Sequence, residues 1–238
     1  MRAGAFGATL LALVLPAAAQ RPAVRPYPVH RGITATVFWI GEPKGNGSSE
    51  SNAVSAWDDA WLAHYGGVDD PWTRRTAADG YFPTRFTPGE NPFYVDLPYS
   101  DFDDRGDPRP DRASVVPWAA DYASEVRAFR AHGRPFSLVK NRWVMLRRGH
   151  RVCYAQWEDA GPYRYDDARY VFGSGAVRPA SRLARRAGID VSPAVRDCLA
   201  FAGLNNDENR LDWQFVEASQ VPPGPWDRVV TTRQVYWP

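Results

Sequence analysis

Short apolar runs at strand spacing, separated by long polar stretches, dominate this chain, and helical spacing is the exception. Residues 33–40 (Ile-Thr-Ala-Thr-Val-Phe-Trp-Ile) are β-branched or aromatic almost throughout. They predict a strand, and the nearly unbroken apolarity predicts burial on both faces. A Gly/Ser/Asn-rich loop follows at 41–51. Over 53–65, Trp57, Trp61, Leu62 and Tyr65 fall at helical spacing, with Asp58 and Asp59 early and Gly66-Gly67 as a stop. That spacing predicts a short amphipathic helix whose two tryptophans suit a core or cleft wall better than a sugar platform.

Turn residues dominate 68–92 and predict an ordered irregular excursion. Residues 93–99 predict a brief strand, 100–111 an acidic loop, and 117–131 one helix with Trp118, Tyr122, Val126 and Phe129 along a face. A hairpin comes next. Apolar runs at 136–139 and 142–146 lead into the turn 147–150, and 152–157 returns. Residues 163–187 predict a long loop over one end of a barrel. A short apolar step delivers Asp190, Ser192-Pro193 opens a helix over 194–201, and 213–216 predicts a last core strand. Pro222 to Trp226 breaks the chain ahead of an edge strand within 229–237.

Composition narrows the class. At 238 residues the chain supports one substantial core and is short for two. A net charge of +2 points away from a nucleic-acid partner. The N-terminus has the form of an export signal: Arg2, an apolar stretch from Ala5 to Leu15, and small residues at Ala17-Ala18-Ala19. Cleavage near Ala19 predicts a secreted or periplasmic protein with no membrane span, a Pro-rich leader over 20–32 and a single domain over 33–238. Cys153 and Cys198 suit either a disulfide or two buried thiols.

The candidate chemistry sits at two acids. A strand-like run stops at Glu158-Asp159 before Gly161-Pro162, and Asp190 ends the short step before Ser192-Pro193. A side chain beyond the last ladder bond is free to face a cleft. The helix start beside Asp190 favours its ionised form, whereas the apolar neighbours of Asp159 raise a carboxyl. One protonated and one ionised carboxyl are what general acid–base work on a glycosidic bond needs. Trp157, Tyr163, Tyr165, Tyr170 and Phe172 supply rings for stacking on sugars. The plainer readings are a helix cap for Asp190 and solvated turn residues for Glu158 and Asp159. His30, His64, His132 and His150 are scattered, with no metal-ligand spacing among them. No phosphate loop, dinucleotide fingerprint or Gly-x-Ser-x-Gly elbow is present, so no metal and no cofactor is expected.

These words together resemble a family. The stretch 138–163, with Glu158-Asp159-Ala160-Gly161-Pro162-Tyr163, followed by Ile189-Asp190-Val191-Ser192, is similar to the rare lipoprotein A-like and expansin-like, barwin-related proteins. That group shows Asn-Asp-Arg-Gly-Pro-Phe and Ile-Asp-Leu-Ser at the matching places. The resemblance implies a mainly β fold, a six-stranded double-psi β-barrel with short helices and long loop insertions. It further implies a protein that handles cell-wall peptidoglycan or another polysaccharide; a monomer is expected. Asp159 and Asp190 take the catalytic positions, the acid protonating the glycosidic oxygen as a lytic transglycosylase does. Trp157, Tyr163, Tyr99, Glu158 and Asp101 are the expected substrate-binding residues. Ala160 stands where the family has arginine, and no histidine occurs near Tyr94 to Asp96. Asp96 or Asp101 is then the stand-in for a second acid. A non-catalytic expansin-like binding module and a periplasmic scaffold are the alternatives to an enzyme.

Overall fold

The computed structural model describes residues 26–45, 51–204 and 209–237. The stretch expected to be an export signal and the first part of the expected leader lie outside the described residues. Six apolar runs form strands: β1 (His30–Val37), β2 (Tyr94–Leu97), β3 (Arg142–Arg148), β4 (Arg151–Ala160), β5 (Ala187–Val191) and β6 (Arg210–Phe215). They close into a barrel in the order β1-β5-β2-β4-β3-β6. The β1/β5 and β2/β4 pairs are parallel and the other four neighbours antiparallel. Closure leaves no open sheet edge.

Strand period decides which residues fill the barrel. Ile33, Ala35 and Val37 of β1, Val95 and Leu97 of β2, Ile189 and Val191 of β5, and Leu211, Trp213 and Phe215 of β6 share one apolar core. The alternate positions face outward. There Phe38, Ile40 and Tyr94 meet Trp61 and Tyr65 in a second, smaller cluster. The excursion after β1 is therefore pinned on the outer face, which is why β1 reads as apolar on both sides. Tyr94 reinforces the pin, donating its hydroxyl to Asp69 at 2.7 Å and accepting the Ile40 N–H at 3.0 Å.

The helices are short: α1 (Trp61–Tyr65), α2 (Arg112–Val115), α3 (Ala123–Ala131), α4 (Ala168–Val171) and α5 (Pro193–Cys198). The helix expected over 53–65 survives only as α1. Asp58 bridges to Ser55 and to Tyr236, and its Oδ1 accepts the Ala60 N–H at 2.9 Å, so the segment before Ala60 is held in turns. The helix expected over 117–131 divides into a 3-10 turn, Ala119–Tyr122, and α3. Residues 136–139 are not a strand, because Asp101 takes the Ser137 hydroxyl and the Leu138 N–H, each at 2.8 Å. The tail 229–237 adds no strand and keeps only the Tyr236–Asp58 bridge. Tyr27 is buried, edge-on to Trp118 and Phe215, and donates to Glu217 at 2.7 Å. Cys153 of β4 and Cys198 of α5 form a disulfide, Cα to Cα 6.5 Å.

Candidate functional site: a row of carboxyls outside the barrel

Asp96 is the centre of the site. On one side it stands opposite Asp190 in the antiparallel β2/β5 pair, and on the other opposite Asp159 in the parallel β2/β4 pair. Val95 and Leu97 face the core, so Asp96 points out, and Asp190, between inward Ile189 and Val191, does the same. Thr36 continues the row on β1, opposite Asp190.

Asp159 joins the row only because β4 carries a bulge. Val95 opposes Trp157, but Asp96 opposes Asp159, leaving Glu158 as one extra residue. Cys153, Ala155 and Trp157 lie in the core, and after the bulge Ala160 does too. The odd positions face inward before it and the even ones after it. Without the insertion Asp159 would follow Trp157 into the core.

The hydrogen bonds hold each outer acid by one oxygen. Asp159 Oδ1 accepts the N–H groups of Ala56 and Ala160, both at 2.8 Å. Asp190 Oδ1 accepts the Thr36 hydroxyl. Asp96 Oδ1 accepts the Asp190 N–H at 2.9 Å. Glu42, just past β1, is a fourth acid whose charge reaches Asp190 and Asp96. It is buried and accepts from Asn52 at 3.2 Å.

Crowding acids under cover disfavours their charges. Burial pushes Asp159 up to about 7 against the pull of its two amides. Burial, then Glu42 and Asp159, push Asp190 up to about 8. Burial holds Asp96 far above the carboxylate range, with Asp190 and Asp159 adding to it, and burial lifts Glu42 to about 7. The expected ionised Asp190 is thus corrected. The start of α5 is capped instead by Ser192, which accepts the Val195 N–H, so Asp190 is not its cap and has carboxyls for neighbours. Both acids also lie within their ladders, not beyond them.

The aromatic and polar expectations divide. Tyr163 is 42% exposed at the site's rim, and the charges of Asp190 and Asp96, after burial, raise its hydroxyl. Trp157 is no platform: its ring is fully buried and stacks on Phe215 at 5.7 Å. Tyr99 is equally buried, edge-on to Phe172. Asp101 is a buried clamp that also receives Arg112 at 3.1 Å, so of the two stand-ins Asp96 is the one in the row. Glu158 leaves the row for Lys140, 2.6 Å away. Sequence reasoning missed Glu42, although it too is an acid just past a strand, and it missed Trp72. That ring is 73% exposed and edge-on to Trp39, whose carbonyl accepts the Glu42 N–H at 3.0 Å.

No protein-family model matches the chain, and no curated protein matches it in sequence. The chain is mainly β, a closed six-stranded mixed barrel with few short helices. No described helix is long and apolar enough to cross a membrane.

Proposed function

We propose that this chain is an exported double-psi barrel that cleaves cell-wall glycan by acid catalysis. The observation that carries the reading is the register that sets Asp159, Asp96 and Asp190 side by side on the outer face. The quoted motifs and the parallel β1/β5 and β2/β4 pairs support the double-psi type. In this reading Asp190, the most exposed of the three, is the general acid. Its proton passes to the glycosidic oxygen as the bond to the anomeric carbon breaks. Asp159 receives the proton of the attacking hydroxyl, supplied by water or by the sugar itself. Asp96 stays protonated between them and keeps the row from carrying three charges. Asp159 and Asp190 lie two strand spacings apart, roughly 10 Å at the backbone. That is wide for the separation of about 5 Å at which a carboxylate acts as nucleophile. Tyr163 and Trp72 offer the exposed rings for sugar faces.

The test is incubation of purified protein with peptidoglycan and, separately, with cellulose, followed by mass spectrometry of soluble fragments. Release from peptidoglycan supports the reading. Fragments lighter by one water show that the sugar's own hydroxyl attacked, and reducing ends show hydrolysis. Binding without release assigns the chain to the non-catalytic, expansin-like class and ends the enzymatic proposal.

Two further results are expected. Asp159 must be ionised and Asp190 protonated, so kcat/KM should rise through about pH 7 and fall through about pH 8. A flat profile from pH 5 to 9 argues against both roles. Gly161 follows the row, and a Cβ there would lie 2.6 Å from Asp96 Oδ2. Gly161→Ala should displace that carboxyl and lower kcat/KM roughly 10²-fold, while circular dichroism shows the fold intact. Unchanged kinetics would mean that the placement of Asp96 does not matter.

A further inference from the structure

The excursion after β1 holds a second polar cluster, made of residues no part of the proposed reaction uses. Asp58, His64 and Glu90 come from three places in the excursion, and one ligand atom from each lies within 4.8 Å of the others. Asp58 is wholly buried and Glu90 nearly so, its side chain 6% exposed. His64 Nδ1 is 2.7 Å from Asp58 Oδ2. Both carboxyl oxygens of Glu90 are buried without a hydrogen-bond partner. Arg233 comes only to 3.4 Å of Oε1, from a side chain that is 45% exposed, and the charge of Lys140 also acts on this carboxyl. Beside them Glu158 Oε1 is also buried and unpartnered, its other oxygen held by Lys140. Buried carboxylate oxygens normally find partners, and buried charges are paired or coordinate metals, so several converging without partners call for an explanation that a bound cation supplies.

We propose that Asp58, His64 and Glu90 bind one divalent transition-metal ion. A single imidazole nitrogen with two carboxylates is a borderline donor set. It suits Zn²⁺ or Mn²⁺ and is poor for Ca²⁺ or Mg²⁺, which take oxygen alone. Lys140 acts on Glu90, but its ammonium is already paired with Glu158 at 2.6 Å and hydrogen-bonds neither Glu90 oxygen. The three ligands are separated by 6 and 26 positions in the chain and are joined only by the fold. Asp58 is two residues beyond Ala56, whose N–H holds Asp159. An ion here fastens that loop and plays no part in proton transfer.

The test titrates EDTA-stripped protein with ZnCl2 and with MnCl2 by calorimetry, MgCl2 and CaCl2 serving as comparisons. One equivalent of Zn²⁺ or Mn²⁺ per chain is expected, with weaker binding of the other two. Glu90→Gln and His64→Gln should each weaken it by no less than the roughly 10–100-fold that loss of an outer-shell partner costs. Asp190→Asn should leave it unchanged. Absence of saturable binding overturns the proposal, as does binding that survives both substitutions or that is lost in Asp190→Asn. Anomalous scattering from wild-type crystals soaked in ZnCl2 decides the matter even if the variants fail to fold. A peak among Asp58, His64 and Glu90 supports the site, and soaked crystals without one refute it.

Discussion

Replacing Asp190 with asparagine is expected to abolish glycan release while leaving the barrel standing and weakening its response to pH. Asparagine keeps an Oδ1 for the Thr36 hydroxyl and nearly the same volume, but it has no proton to give. Loss of a general acid costs about 10²–10⁴ in rate. The stability side follows from linkage. The folded value of about 8 lies above the usual carboxyl value near 4, so the folded state binds the proton more tightly than the unfolded chain does. Stability from this group is complete below about pH 4 and is lost as pH rises toward 8. The native protein should therefore melt lower at pH 8 than at pH 5, and Asp190→Asn should narrow that gap. The measurement is paired melts at the two pH values together with the fragment assay. Full release by the variant would take Asp190 out of the chemistry, and an unchanged gap would mean that its carboxyl is not strained by its neighbours.

Removing the disulfide is the second large effect. Cys153 and Cys198 are 45 positions apart, and closing a loop of that length limits the unfolded chain by about 4 kcal/mol in the chain-entropy account. The bond also ties β4, which carries Asp159, to α5, which follows Asp190. The Cys153→Ala/Cys198→Ala variant should melt roughly 10 °C lower, at the 2–4 °C per kcal/mol typical of chains this size. Dithiothreitol should do the same to the native protein. A shift under about 2 °C in both would show that the bridge does not limit unfolding.

Strand period made much of this readable in advance. The apolar runs at 142–146 and 152–157 lie on strands. Those at 33–40, 93–99 and 213–216 each contain part of one but run past its end, at 38–40, 93, 98–99 and 216. Each run needed only local alternation and turn residues. The helix over 53–65 was misread because its spacing is genuine while its backbone is held by Tyr236, about 180 positions away. Asp159 and Asp190 do occupy one row, yet for a reason their own sequence conceals. The bulge at Glu158 depends on the partner strand, and no residue in Glu158-Asp159-Ala160 announces it. Trp157 beside the acids looked like a platform, but before the bulge its parity sends it inward. His64 has no ligand-like neighbour in sequence, and its companions Asp58 and Glu90 meet it only after the excursion has folded back.

Because the acids project from the outside of the staves, the interior is relieved of chemical duty. A conservative swap among inward residues such as Val95, Val144 or Ile189 should alter how long the vessel endures heat and barely touch how fast it works. The two properties can drift apart in descent, and a sturdier version is open to engineering from within.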